Sequence, residues 1–353
     1  MPEQGSQAIL PRTPDVPATL EEAIHPDWLT AALTPLSGGA PVESVELAEV
    51  IRTMASKVRI RVRFRGDATL HDYCLKAFLG EPGLGGGQTT IREGRFYTDI
   101  APHTTMRLPH VPAVILDEEK GQGILIMEDM IAAGARFCSA LEPFTVELAQ
   151  QSLDQLARLH SRPDIAARTD WLPTRIDVIA NKPHFAPEKQ QELLDHPRNA
   201  GLPDRTRSGA LLHAGMKALS ARNAARPRTL LHGDCHAGNL FLIDGAPGFT
   251  DWQLVQRGHW AMDVAYHLCA VLPVEMAERH ERDLLDSYLA SVREHGGEAP
   301  DRDAAWEDYR AAQIYGFYHW AITTRVDPAI IAIFMERLGA GVTRHDSYTV
   351  LGL

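Results

Sequence analysis

Between residues 57 and 65 apolar and charged side chains alternate without a break. Val58, Ile60, Val62 and Phe64 fall on one face, and Lys57, Arg59, Arg61, Arg63 and Arg65 on the other. A period of two with one apolar face predicts a half-buried β-strand, and it makes the basic stripe a solvated face in preference to a phosphate site. A second strand is predicted over 71–79, where Lys76 interrupts the apolar run Tyr73-Cys74-Leu75-Lys76-Ala77-Phe78. Segments 111–116 and 123–127 complete a five-stranded antiparallel sheet. Before it, Thr19 and Glu22 form a capping-box pattern, so a helix starts there and starts again near Pro26. Residues 1–17 hold four prolines, which predicts a loose arm.

After residue 130 the period changes. Ala149, Leu153, Leu156 and His160 recur at helical spacing within 144–160. Further helices are predicted over 204–224, 262–272, 275–295, 302–323 and 327–340. The pattern therefore predicts an α+β, bilobal chain. An arm and helix cover 1–40, a small sheet lobe 41–130, and a mainly helical lobe 131–353. The aromatic run Tyr315, Phe317, Tyr318 and Trp320 reads first as core, with a pocket wall as the other reading.

Composition narrows the field of functions. Of 353 residues, 44% are hydrophobic and 23% charged, with 35 Lys and Arg against 46 Asp and Glu, a net charge of -11. An acidic balance argues against non-specific binding to nucleic acid or to an anionic membrane. No apolar run reaches the roughly 18 residues of a membrane span, and no signal peptide is visible. Cys74, Cys138, Cys235 and Cys269 are scattered, which suits a reducing cytoplasm better than a disulfide framework. Nothing in the pattern sets an oligomeric state.

The chemistry concentrates in one stretch, His232-Gly233-Asp234-Cys235-His236-Ala237-Gly238-Asn239, followed by Asp251-Trp252-Gln253. His232, Cys235 and His236 lack the second ligand pair of a closed zinc site. Phosphoryl transfer from ATP to a hydroxyl needs one carboxylate to orient the acceptor and take its proton. It also needs an Asn and an Asp to hold the Mg²⁺ that bridges the phosphates. Asp234, Asn239 and Asp251 meet those needs. Leu240-Phe241-Leu242-Ile243, the turn Asp244-Gly245 and Gly248-Phe249-Thr250 read as a hairpin that returns Asp251 to the side of Asn239. His232 reads as a loop brace.

This run resembles the catalytic and metal loops of the aminoglycoside phosphotransferase and choline kinase superfamily, small-molecule kinases built like protein kinases. The resemblance spans roughly residues 40–340. It implies a kinase-like fold in which Lys76 holds the ATP phosphates and pairs with Glu93, in Arg92-Glu93-Gly94-Arg95-Phe96-Tyr97, on a helix over 89–100. It implies that backbone groups from Glu128 to Met130 meet the adenine edge, and that Asp263 braces the catalytic loop. The nucleotide loop would be the turn Arg52-Thr53-Met54-Ala55-Ser56, which lacks the family's glycine, with Ser56 as its phosphate contact. Gly83-Leu84-Gly85-Gly86-Gly87 lies on the wrong side of Lys76 for that role and reads as a linker.

Gly233 stands where protein kinases carry an arginine, and no Ala-Pro-Glu follows Asp251, so the implied acceptor is a small molecule. Asp251-Trp252-Gln253 is most similar to the ecdysteroid-kinase-like branch, which implies an apolar or steroid-like alcohol. Two other readings stay open: an aminoglycoside-type antibiotic kinase, for which Glu275, Glu278, Glu281 and Asp283 would be the acidic cluster, and a nucleotide-binding pseudokinase with a regulatory role.

Overall fold

A computed structural model describes residues 14–52, 55–80 and 87–353. The first thirteen residues of the arm, Thr53 and Met54 of the nucleotide turn, and all of the glycine run except Gly87 lie outside them. The chain divides into two compact units, one through Thr98 together with Pro109–Gly134, the other Asp99–Leu108 together with Ala135–Leu353.

The first unit contains α1 (Leu20–Ala23), α2 (Pro26–Ser37), β1 (Val42–Arg52), β2 (Ser56–Phe64), β3 (Leu70–Ala77), α3 (Gly87–Arg95), β4 (Ala113–Asp117) and β5 (Gln122–Glu128). The strands form one antiparallel sheet in the order β1-β2-β3-β5-β4. Val58, Ile60, Val62 and Phe64 of β2 point into a core with Leu75, Ile124, Ile126 and the buried face of α2, Leu29, Ala32 and Leu33. The capping box at Thr19 is formed, and Pro26 opens α2 at a position where its missing N–H costs nothing.

On the opposite face the basic stripe of β2 meets acids from neighbouring strands. Arg59 binds Glu49 at 2.8 Å and Asp129 at 2.7 Å, and Arg61 lies 3.5 Å from Glu46 and 3.9 Å from Asp72. Cross-strand register explains these pairs, because Arg59 stands across from Glu49 and Arg61 from Glu46. After α3 the helix widens into an i→i+5 turn, Phe96–Ile100, where an unbroken helix over 89–100 was expected.

The second unit contains β6 (Arg136–Phe137), α4 (Val146–His160), α5 (Pro163–Ala166), α6 (Arg175–Asn181), α7 (Pro187–Leu194), α8 (Gly209–Ala224), β7 (Thr229–Leu231), β8 (Leu240–Ile243), β9 (Ala246–Phe249), β10 (Gln256–Gly258), α9 (Ala261–Val271), α10 (Val274–Glu294), α11 (Arg302–Ala321), α12 (Pro328–Arg344) and α13 (Ser347–Val350). Strands β6, β8 and β9 pair in one small sheet, β7 and β10 in another. The long helices match the periodic segments closely. Helix α8 starts at Gly209, later than 204, because the Ser208 hydroxyl caps it by accepting from Leu211 N–H at 3.2 Å. The short elements α5–α7, β6, β7 and β10 span too few residues to show a period.

Every residue of α9 is buried, so this helix has no solvent face. It packs against α11 where Gly316 allows a close approach: a Cβ on Gly316 would overlap the Tyr266 ring and lie 3.1 Å from Leu338. Tyr315, Phe317, Tyr318 and Trp320 are all at most 5% exposed, which places the aromatic run in the core. All four cysteines are free thiols. Among the described residues no helix is long and apolar enough to cross a membrane.

Burial also sets protonation. His259, His267 and His319 have their pKa pushed down to about 4, with desolvation as the leading cause. His319 must be neutral for a second reason: its Nδ1 donates to Tyr315 O at 2.8 Å while its Nε2 accepts from Arg175 Nε at 3.3 Å.

Two outcomes are expected. Gly316→Ala should destabilise the second unit by roughly 1–3 kcal/mol, the usual cost of an overpacked core, seen as a lower denaturation midpoint. The buried histidines bind protons near pH 6.5 when unfolded and only near 4 when folded. Stability should therefore fall as pH drops from about 6.5 towards 4, since the unfolded state then holds more protons. A melting temperature that stayed flat over that window would contradict neutral burial of these rings.

Candidate active site

In the first unit one buried ion pair dominates. Lys76 Nζ lies 2.9 Å from Oε1 and 2.7 Å from Oε2 of Glu93, and both side chains are almost fully buried. Lys76 reaches this position from β3 and Glu93 from α3, which packs on β5. A desolvated ammonium held by both oxygens of one carboxylate is fixed in direction as well as in charge.

Register separates the other phosphate candidate from this pair. Ser56 stands across from Ala77 and Lys57 across from Lys76, so the alternation puts Ser56 on the face of Val58, opposite that of Lys76. There Ser56 lines a cavity of about 220 Å³ with Leu20, Val50, Arg52, Val58, Leu79 and Gly80. The half-buried Lys57 is the β2 residue directly across from Lys76 on the same face.

The segment after β5 is organised by Asp129. Its Oδ1 accepts from the N–H groups of Ile131 at 2.9 Å and Ala132 at 3.3 Å, and its Oδ2 from Arg59. Glu128 N–H donates to His110 O and Asp129 N–H to Asp72 O, both at 3.0 Å. The Glu128 carboxylate is exposed and meets His110 at 2.8 Å. The Met130 N–H stands between these satisfied donors and has no acceptor among the described residues.

In the second unit the loop from His232 to Asn239 hangs on Asp263 at the start of α9. Its fully buried carboxylate accepts from His232 N–H at 2.7 Å and Gly233 N–H at 2.9 Å. Desolvation works against this charge, but His160, His232 and the Gly233 N–H outweigh it and hold the carboxyl below its usual range. Gly233 has φ +82°, and a Cβ there would collide with Leu254 O and Gln256. His232 bridges two strands of the site: Nδ1 accepts from Asp234 N–H at 3.1 Å and Nε2 donates to Thr250 O at 3.0 Å. One donor and one acceptor require a neutral ring, which burial also favours. Cys235 Sγ donates to Asp263 O and His236 Nδ1 accepts from Gly238 N–H. These three side chains are thus committed to separate loop contacts.

Asp234 is the carboxylate at the centre, with 28% of its side chain still exposed. Tyr266 Oη donates to its Oδ1 at 3.0 Å, Asn239 Nδ2 to its Oδ2 at 3.2 Å, and His236 Nε2 lies 3.7 Å from Oδ2. Desolvation raises its pKa, but the neighbouring His236 outweighs it and the carboxyl lies well below the ordinary carboxylate value. Asn239 spends its amide hydrogens on Asp234, including the backbone oxygen at 2.8 Å, so its Oδ1 is left as an acceptor suited to a hard cation. Pairing of Leu240 with Phe249, continued by Thr250 N–H to Asn239 O at 3.0 Å, sets Asp251 beside Asn239. Asp251 itself adopts a left-handed backbone, φ 64° and ψ 69°. An amide oxygen and a neighbouring carboxylate fit a Mg²⁺ that takes its other ligands from phosphate and water.

The sequence named Asp234, Asn239 and Asp251, and the structure brings them together. It also unites Lys76 with Glu93, and it sets Ser56 apart from them. Sequence reasoning missed Asp129, Lys57 and Tyr266. The last had a visible signal, since it lies one helical turn beyond Asp263.

Comparison with known proteins agrees with this geometry. Residues 56–307 match the model of a phosphotransferase enzyme family, APH. No curated protein sequence matches the chain. Among solved structures, an ethanolamine kinase from Plasmodium vivax superposes with a TM-score of 0.51 at 13% identity, covering 90% of this chain and 87% of that one. A choline kinase from Cryptosporidium parvum gives 0.51 at 11% identity, covering 86% and 89%. A microcompartment-associated aminopropanol kinase gives 0.50 at 13% identity, covering 87% and 92%. At such identities the likeness shows the fold alone, an α+β kinase-like fold. The family match extends over most of the chain and includes the loop that carries Asp234, Asn239 and Asp251, so this protein belongs to the APH phosphotransferase enzyme family.

Proposed function

We propose that this protein transfers the γ-phosphate of ATP to a hydroxyl of a small molecule in the cytoplasm, with Mg²⁺. The observation that carries the reading is the linked set Asp234, Asn239 and Asp251, in which the base and the amide ligand share hydrogen bonds and the β8–β9 hairpin returns the second acid. Lys76, directed by Glu93, binds phosphate oxygens. The free Met130 N–H and the backbone of Glu128 receive the adenine edge. Asn239 Oδ1 and Asp251 hold Mg²⁺, which neutralises charge on the phosphates when bound. Asp234 orients the acceptor hydroxyl and takes its proton late in the transfer, as suits a carboxylate of low basicity.

For the acceptor we favour an apolar alcohol, the steroid-like class among them. Next to Asp234 the His236 ring packs on Trp320 at 5.2 Å and Phe334 at 5.3 Å, an aromatic rather than an acidic surround. The acidic stretch that a polycation would need is compromised: Glu281 is buried against Arg344 at 2.7 Å and His345 at 3.0 Å. Tyr315, Phe317, Tyr318 and Trp320 are core, so the apolar surface beside Asp234 narrows to the His236 ring.

ADP release from Mg·ATP, measured over a panel of apolar alcohols, amino alcohols and an aminoglycoside, tests this reading. Asp234→Ala should lower turnover by about 10²–10⁴ with nucleotide affinity retained; wild-type turnover in that variant would overturn the assignment. Lys76→Ala breaks a buried ion pair and should cost about 3–5 kcal/mol of stability. Lys76→Met with Glu93→Gln should recover most of that stability, yet kcat/KM should remain at least about tenfold down. Recovery of activity together with stability would make the pair a purely structural brace.

A further inference from the structure

Tyr266 is the hydroxyl closest to the base, and its hydrogen-bond direction is fixed. It is fully buried on α9, 3.0 Å from Asp234 Oδ1. Trp320 Nε1 on α11 lies 2.7 Å from the same hydroxyl oxygen. An indole N–H can only donate, so the Tyr266 oxygen accepts from Trp320 and, among the described residues, its hydrogen goes to Asp234. Trp320 is held in turn by Phe334 of α12, ring centroids 4.0 Å apart, and Tyr266 by the ring of His319, stacked at 6.2 Å. Burial and the nearby Asp234 charge raise the Tyr266 pKa well above 10, so the phenol stays protonated.

Resting on the kinase reading above, we infer that Tyr266, fixed by Trp320, is a positioning residue for phosphoryl transfer: it holds Oδ1 of Asp234 and leaves Oδ2 as the oxygen that meets the acceptor hydroxyl. The carboxylate would otherwise turn about its Cβ–Cγ bond, and both oxygens would compete for the acceptor. With Oδ1 occupied by a donor that never ionises, the reactive oxygen is the one that also touches Asn239. The base is thereby coupled to the residue placed to hold the metal. The proton passes from the acceptor to Oδ2, and Tyr266 neither gains nor loses one.

The test is a double-mutant cycle on the full-length protein, read as ADP release from Mg·ATP at saturating levels of whichever panel alcohol the wild type turns over. Tyr266→Phe removes one hydroxyl and keeps the ring. A hydrogen bond to a charged group corresponds to roughly a ten- to hundredfold effect, so kcat should fall by about that factor. The KM for ATP should stay within about twofold. Trp320→Phe, which frees the phenol to rotate, should give a smaller loss of the same kind. In an Asp234→Asn background, Tyr266→Phe should add no further loss, because Tyr266 acts only through that carboxylate. An equal fold-loss in both backgrounds, or an unchanged kcat, overturns the inference and leaves Tyr266 a packing residue. Full turnover by Asp234→Asn instead overturns the assignment of Asp234 as the base, and no wild-type turnover with any alcohol overturns the kinase reading beneath it. Melting temperatures measured beside the rates identify loss of folded protein; should Tyr266→Phe prove unstable, 3-fluorotyrosine at 266, which keeps the shape and strengthens the donor, must alter kcat for the inference to stand.

Discussion

One buried carboxylate sets the geometry on which the catalytic loop depends. Asp263 has no solvent, so its charge survives only because two loop N–H groups and His160 are directed at it. The reverse also holds. The N–H groups of His232 and Gly233 belong to a bend with a left-handed glycine and have no strand or helix to bond within, and an unpaired buried N–H costs on the order of 1–3 kcal/mol. Loop and helix are thus locked by mutual necessity. His160 extends the lock through Tyr288 of α10, 2.8 Å from its other nitrogen. Three segments far apart in sequence meet at one anion, and a fourth joins them through His160.

Asp234 inherits its place from that lock. Asp263 and Tyr266 are one turn apart on α9, so the helix that bends the loop also presents the phenol to Asp234. His232 carries the order onward by joining the Asp234 backbone to the Thr250 carbonyl, next to the second acid. The neutral histidines belong to the same design. A charged His232 or His319 would lose an acceptor that the hydrogen-bond pattern requires. The first unit solves a comparable problem with fewer groups, since Lys76 and Glu93 compensate each other and need only a strand and a helix brought close.

Much of this was legible in the sequence, and the reasons are physical. Alternation in β2 and the periods of α4, α10 and α12 report amphipathic elements with one buried face. Helix α9, predicted over 262–272, is buried all round and so has no polar face. The spacing of Asp234, Asn239 and Asp251 survives in the chain because a short loop and a two-stranded hairpin confine them locally. The short elements β6, β7, β10 and α5–α7 left no pattern, since their place depends on partners and not on their own periodicity.

The sequence by itself determined the longer elements, the family and the local spacing of Asp234, Asn239 and Asp251, because those rest on spacings of a few residues. Only the tertiary structure decided which groups meet across long separations. Register turned Ser56 away from Lys76 and set Lys57 beside it, a choice that a one-residue shift would reverse. Packing of α9 on α11 joined Trp320 to Tyr266 and Tyr266 to Asp234, contacts spanning 54 and 32 residues. It also consigned Tyr315, Phe317 and Tyr318 to the core. A strand or helix pattern tells which face is apolar; what that face packs against, and which buried hydroxyl finds which carboxylate, is settled only when the elements are brought together.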